Sequence, residues 1–483
     1  MRIGVGIVSR PADPADARLS AGSIGLPQAL FQSVTHMGPA AGIASSLLVA
    51  ISFAGPTMPL AIGLAMVVCL LIATAVAQLA RHVTTAGGLA DYATAGLGPR
   101  AGRFVSWLYP VLELLIAPIV FMVLGQILAG VFDRDLGVTA PWWLWMIVAA
   151  ALSAYLNVRG VRSSTNAGIV LGAFEIAVFT AFAVYLIVHN AGDNTARVFV
   201  PSHALEPGLS GVFKGMVFSI LAFQGFETAA PLAEETQDSR RVIPRVIVLS
   251  TLVVGAFYLL CGYASVIGWG FDDMAAFAAN PDPWGVLARR FWGIGWVVIL
   301  FALVNSFVGN GNAGVAAASR ILYALGRQGT LPKAFGRVHP VHATPANAVY
   351  AQTALTIVLG LALGASFGVT KGFSVLATVV TVFAIVLYMV TCAACVAYFR
   401  RRRPAEFRWF PHAVCPVAAI LILLVPLYYQ VHPWPAYPLA WGNWFCIGWI
   451  AAAAVAATAF RRRPEPMDRS AQPVRQATPG LPE

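Results

Sequence analysis

Charge is what this chain has least of: Asp, Glu, Lys and Arg make up 11% of its 483 residues, against 59% hydrophobic. A soluble domain carries about a quarter charged residues, so there are too few polar side chains to cover a globular surface in water. Cysteine is also scarce. Cys69, Cys261, Cys392, Cys395, Cys415 and Cys446 all lie in or beside apolar runs, which leaves no disulfide framework. Cys392 and Cys395 form a CxxC without a neighbouring His or carboxylate, so small-residue helix packing outweighs a metal or redox site. HExxH, GxSxG and P-loop patterns are missing, so an enzyme would have no nucleophile or metal set to build upon. No cofactor is expected.

What the chain does have is a series of apolar runs of roughly 18 to 28 residues, the length that crosses a hydrocarbon core of about 30 Å, and a mean hydropathy of +0.75. The fold class this implies is an all-α membrane protein. Twelve spans are expected, near 27–54, 58–79, 104–131, 142–158, 166–189, 212–232, 246–268, 292–319, 347–365, 373–398, 413–430 and 439–460. Residues 1–24 lack a long apolar stretch and read as a cytoplasmic tail rather than a cleaved signal; 399–412 reads as a basic loop and 461–483 as a disordered tail. With the N-terminus inside, 25 of the 31 Lys and Arg residues fall on the inner side, so both termini are expected in the cytoplasm. That asymmetry beside anionic lipid accounts for the net charge of +11 without nucleic acid.

Residues 309–314 read Gly-Asn-Gly-Asn-Ala-Gly, matching the dinucleotide fingerprint GxGxxG letter for letter. The fingerprint needs a preceding strand and a soluble βαβ unit, whereas here it interrupts an expected span and runs into Ala316, Ala317 and Ala318. Close helix packing or cavity lining is the better account. His339 and His342 fall in an inner loop, where solvation or capping outweighs metal binding.

Ionisable groups inside a bilayer are costly unless paired, hydrated or neutralised, so each is a functional candidate. Glu113, Glu175 and Glu227 qualify, and no Lys or Arg lies deep in any expected span to pair with them. Glu113 and Glu175 each lie roughly 14 Å above the inner ends of their spans, counting about 1.5 Å per residue. Gly168, Gly172 and Glu175 fall at i, i+4 and i+7, one helical face whose small residues admit a neighbouring helix, so Glu175 is expected to point into protein. Two spans also carry helix-breaking features near mid-membrane: Thr35-His36-Met37-Gly38-Pro39-Ala40-Ala41-Gly42 in the first, and Phe223-Gln224-Gly225-Phe226-Glu227 followed by Pro231 in the sixth. Paired interruptions point to a transporter binding site, since half-helix ends offer free N–H groups to anions and free carbonyls to cations. A kink without a ligand is the bland alternative.

The stretch from Phe223 to Pro244, FQGFETAAPLAEETQDSRRVIP, resembles the sixth helix and following loop of the amino acid-polyamine-organocation permeases. Ser319 to Ala346 is similar to that family's loop after helix eight, and Ala86-Gly87-Gly88 through Leu97-Gly98-Pro99 to its loop after helix two. The resemblance implies a leucine-transporter-type core of ten helices in two inverted five-helix repeats, here 27–189 and 212–398 within 25–398, plus two further helices in 413–460. It implies a solute site between broken helices one and six, lined by Met37, Gly38, Pro39, Ala40 and Ala41, with Phe223 as an aromatic gate and Gln224, Gly225, Phe226 and Glu227 as the unwound segment. Many members carry a Gly-rich G-S/A-G-x-x-G stretch in helix one where this chain has His36-Met37-Gly38-Pro39-Ala40-Ala41.

The function expected on this basis is secondary transport of an amino acid by alternating access. A polyamine or other organic amine held by Glu227 and Glu113 is the nearest alternative, and a non-transporting sensor is the rival of another class. For the coupling ion, sodium would want oxygens such as those of Asn305, Ser306 and Asn312; Asn305 and Asn312 stand seven apart on one face. A proton would want a titrating carboxyl, and burial disfavours a carboxyl's charged form. Glu175, without a basic partner, is the leading proton carrier and Glu113 the reserve, with permanent protonation of Glu175 as helix glue the alternative.

Overall fold

The structure is a computed structural model that describes residues 25–85, 87–160, 165–234, 236–327 and 329–459, with backbone alone at 165–168. The expected tails, Arg162 and the side chain of Gly168 lie outside this set. Among the described residues ten helical segments are long and apolar enough to cross a bilayer, judged by length and composition. Two of the twelve expected spans are not among them. The first is broken into α1 (Leu26–Met37), α2 (Pro39–Ala44) and α3 (Ser46–Ala54), and α3 runs through a 3-10 turn at Gly55–Thr57 into α4 (Met58–Ala80). The other is α7 (Trp142–Arg159), a helix of 18 residues whose three tryptophans, Asn157 and Arg159 dilute its hydropathy.

The remaining helices are α5 (Leu89–Leu97), α6 (Pro99–Leu136), α8 (Thr165–His189), α9 (Leu209–Phe223), α10 (Ser239–Trp269), α11 (Met274–Ala279), α12 (Pro283–Trp292), α13 (Trp296–Arg327), α14 (Ala346–Phe367), α15 (Val369–Arg402), α16 (Cys415–Val431) and α17 (Leu439–Ala459). At 38 residues α6 spans about 57 Å, well beyond a hydrocarbon core, and it stays helical through Pro110 and Pro118. Neither α4 nor α15 has a pronounced apolar stripe. Both are buried over much of their circumference, with α4 against α10 and α15 against α5, α6 and α16, as a helix that is apolar all round must be.

The GxGxxG stretch does not interrupt its span. Helix α13 runs unbroken through it, and the glycines bring helices together: a methyl on Gly311 would come within 2.2 Å of the Phe121 ring, and one on Gly314 within 2.9 Å of Ile116, both on α6. At one end of the bundle Asp282 caps α12 by accepting the Gly285 N–H at 3.0 Å, and also accepts from Arg134 of α6 (3.2 Å) and Arg289 of α12 (3.4 Å).

Candidate functional site

The first helix stops and restarts where its sequence dictates. Gly38 adopts the left-handed conformation (φ +54°) and gives its N–H to the carbonyls of Val34 and Thr35, a glycine C-cap, while Pro39 occupies the first position of α2. A second irregularity follows at Ser45 (φ −126°, ψ −81°), whose hydroxyl donates to Ala41 O at 2.6 Å. Helix α9 ends at Phe223. Gln224 is extended, Gly225 has φ +124°, and Phe226–Glu234 continues as a 3-10 helix containing Pro231. A nine-residue 3-10 run is long for a geometry usually confined to three or four residues.

These two interruptions abut. A methyl on Gly225 would lie 2.9 Å from His36 Cδ2 and 3.0 Å from Met37 N, and one on Gly38 would lie 2.5 Å from Asn310 Nδ2. Glycine is therefore required twice over at each position, by conformation and by space. The Tyr258 hydroxyl, on α10, is shared between Ala222 O (2.9 Å) and Met37 O (3.3 Å), so one phenol covers carbonyls at the ends of both α9 and α1. Asn310 Nδ2 donates to His36 O at 2.9 Å. The second interruption is closed largely by its own side chains: Glu227 Oε2 accepts the Gly225 N–H at 3.0 Å and the Thr228 hydroxyl donates to Gly225 O at 2.6 Å. Glu227 Oε1 accepts from the Tyr388 hydroxyl of α15 at 2.9 Å, and the Phe226 ring stacks on Tyr388 with centroids 5.4 Å apart.

The three carboxylates are shielded from water, with Glu113 at 0%, Glu227 at 2% and Glu175 at 3% exposure. Buried polar atoms are normally hydrogen-bonded, yet His36 Nε2, both Glu113 oxygens, Gln224 Nε2 and Asn310 Oδ1 have no well-formed partner. Glu113 has polar neighbours in His36 Nε2, 3.6 Å away, and the Tyr109 hydroxyl one turn earlier.

A separate cluster lies at the seam of α8 and α13. Glu175 accepts from Asn305 Nδ2 at 3.0 Å and from the Ser306 hydroxyl at 3.2 Å, and Ser306 Oγ in turn accepts the Ala41 N–H of α2 at 3.0 Å. Gly172 on the same helix faces Phe31 of α1, where a methyl would come within 3.0 Å of the ring. Asn312 does not join this set: its Oδ1 accepts from Ser153 (3.1 Å) and Asn157 (2.8 Å) of α7. Phe223 is fully buried, edge-on to Tyr258 at 5.4 Å between centroids.

The structure thus brings together Met37, Gly38, Gln224, Gly225, Phe226 and Glu227 around the interruptions, and Ala41, Glu175, Asn305 and Ser306 beside them; Pro39 and Ala40 start α2 and are buried with it. In the sequence His36 and Asn310 stand out only as members of the stretches 35–42 and 309–314, and Tyr109, Tyr258 and Tyr388 not at all. His36 had a usable signal, being an ionisable residue two positions before the break. The tyrosines had none, since an aromatic residue in an apolar span is ordinary packing material.

The family profile described as amino acid permease matches residues 24–458. Among curated relatives, the chain is 28% identical over 297 residues to the low-affinity putrescine importer PlaP of Escherichia coli strain K12, covering 60% of this chain and 64% of that protein, less than two thirds of its length. It is 28% identical over 333 residues to the branched-chain amino acid permease BcaP of Lactococcus lactis subsp. cremoris, covering 65% and 70%. It is 28% identical over 251 residues to the L-methionine/branched-chain amino acid exporter YjeH of E. coli K12, covering 49% and 54%. The solved structure of a manganese transporter from Eremococcus coleocola, in complex with an aromatic bis-isothiourea compound, superposes with a TM-score of 0.57 at 13% identity over 91% of this chain and 96% of that one. That likeness is one of fold alone.

Proposed function

The chain belongs to the amino acid permease family, a family of membrane transporters rather than enzymes, and from that premise we propose that it carries a small amino-group-bearing solute, an amino acid or an amine, by alternating access. The observation that carries this reading is the meeting of the interruptions at Gly38 and Gly225, with unpartnered polar atoms on His36, Glu113, Gln224 and Asn310 around them. Leaving a buried polar group unpaired costs about 1–3 kcal/mol each, and a solute with hydrogen-bonding ends would relieve several at once. In this scheme the five-helix repeats 27–189 and 212–398 rock about the solute, Phe223 covers it, and both termini stay in the cytoplasm.

We assign coupling to a proton taken up at Glu175. The chain Ala41 N–H, Ser306 hydroxyl, Glu175 carboxylate supports this, because it links an ionisable group on α8 to the half-helix α2. Protonating Glu175 replaces a charged acceptor with a neutral carboxyl that accepts more weakly and can itself donate, which alters the Ser306 link through which the Ala41 N–H of α2 is held.

A second reading, transport of an amine without a carboxylate, is favoured by the donors at α2. Pro39 has no N–H and that of Ala41 is taken by Ser306, so the first turn has little to offer a carboxylate. Counterflow of labelled amino acids and amines in proteoliposomes tests the whole reading. Exchange of at least one class is expected; specific binding without exchange would identify a sensor and sink transport.

A further inference from the structure

We infer that the end of α15 and the turn leading into α16 form a binding site for the headgroup of an anionic phospholipid, whose acyl chains lie along the outer face of α16. The site stands apart from the helix interruptions and does not depend on which solute is carried.

Residues 400–408 hold five arginines, Arg400 to Arg403 and Arg408, against one acid, Glu406. The segment is tied down from two sides. Glu406 pairs with Arg403 at 2.7 Å and with His82, just beyond α4, at 3.3 Å. His412 lies flat on the Phe399 ring of α15 with centroids 3.6 Å apart, its Nδ1 accepts the Arg408 N–H at 2.9 Å, and its Nε2 meets Gln78 Oε1 of α4 at 3.3 Å. This fold-back gathers basic groups from four parts of the chain. Arg81 beyond α4, Arg240 at the start of α10 and Arg403 act electrostatically on His82, while Arg81 and Arg408 act on His412; Glu406 opposes them at both rings. Arg81, Arg240 and Arg408 are exposed and make no ion pair among the described residues.

Like charges gathered this closely repel, and an anion between them relieves the repulsion; guanidinium groups give paired N–H donors to phosphate oxygens. The neighbouring surface makes that anion a lipid. Trp409 and Phe410, next to Arg408, are 73% and 68% exposed, and such rings settle at headgroup depth. From Phe410 an exposed apolar line continues through Val414, Val417, Leu421, Leu424 and Tyr428, spaced by three and four residues into one stripe along α16. Phosphate at the arginines and acyl chains on the stripe belong to one molecule. A second copy of this chain would suit the stripe but would bring the same arginines against these, so charge favours the lipid.

The test is native mass spectrometry of the delipidated full-length chain titrated with phosphatidylglycerol or phosphatidylcholine of the same acyl chains. The parent is expected to bind phosphatidylglycerol at least about tenfold more tightly, a difference of about 1.4 kcal/mol. Each Arg near an anionic surface contributes about fivefold, so Arg81→Gln combined with Arg408→Gln should weaken phosphatidylglycerol by at least about tenfold and leave phosphatidylcholine unchanged. Arg320→Gln combined with Arg337→Gln removes equal charge from the end of α13 and the loop beyond it, and should change binding little. Equal affinity of the parent for the two lipids overturns the site, as does an equal loss in the two double variants, which would reduce it to a diffuse basic field. Displacement of the lipid by inorganic phosphate would mark a site for a soluble anion and overturn the lipid assignment. Should the Arg81 and Arg408 variant fail to fold, the parent's lipid preference and the phosphate competition decide.

Discussion

Glu113 and Glu175 are each buried in a long apolar helix, α6 and α8, yet their surroundings differ. Glu175 is held from α13 by two side chains of adjacent sequence position, and one of these reaches on to α2. Glu113 faces His36 Nε2 at 3.6 Å and the Tyr109 hydroxyl of its own helix, with no comparable set of donors from a neighbouring helix among the described residues. Burial in an apolar helix therefore does not assign a role to an acidic group; the donors around it do. A carboxylate whose two donors sit on a neighbouring helix, one of them bonded on to α2, can transmit a change of charge to both elements.

The comparison breaks most severely if the Gly225 side of the site is displaced. Gly225→Ala puts a methyl into the His36 ring at a φ of +124°, and such backbone strain costs on the order of 1–3 kcal/mol before the clash is counted. Uptake is expected to fall more than about tenfold while folded protein can still be extracted. Normal uptake would mean that the two interruptions need not touch. Next in size, Glu175→Gln should abolish accumulation driven by an inward proton gradient in sodium-free proteoliposomes and leave solute exchange intact. The sign is fixed: acidifying the outside raises accumulation by the parent and leaves the variant flat. Dependence on sodium with indifference to the proton gradient would remove the coupling assignment; normal proton-driven accumulation in the variant would make Glu175 structural and turn attention to Glu113.

A smaller effect is expected at Tyr258→Phe, which frees the carbonyls of Ala222 and Met37. A net hydrogen bond is worth about 0.5–1.5 kcal/mol, so transport should slow by threefold to tenfold, measured as initial uptake rate, with a small drop in melting temperature. The smallest is Asn312→Ala. Its bonds to Ser153 and Asn157 join α13 to α7, away from both carboxylates, so stability should fall by about 1–2 kcal/mol with the pH dependence of uptake unchanged. A shifted pH profile would return Asn312 to the coupling site.

Asn305 and Asn312 show where reading the sequence stops. Seven residues restore the same face of a helix, but they also advance about 10.5 Å along it, and over that distance the neighbour of α13 changes from α8 to α7. The shared face was legible, and the identity of what lies opposite it was not. The same holds at the first interruption. Gly followed by Pro is a local stop-and-restart signal, whereas the Asn310 and Tyr258 contacts that hold it come from residues 274 and 221 positions away.

By itself the sequence determined that the chain is helical and membrane-embedded, because a shortage of charge and repeated apolar runs leave backbone groups no partner but one another. It also determined where helices must yield, since the conformational demands at Gly38, Pro39 and Gly225 are met within a few residues, and it singled out Glu113, Glu175 and Glu227 by their rarity. The tertiary structure decided which of those carboxylates is held by donors from another helix, and that His36 stands beside Glu113. Hydrogen bonds act over about 3 Å between helices far apart in the chain, and no periodicity within one helix encodes which face of another it will meet.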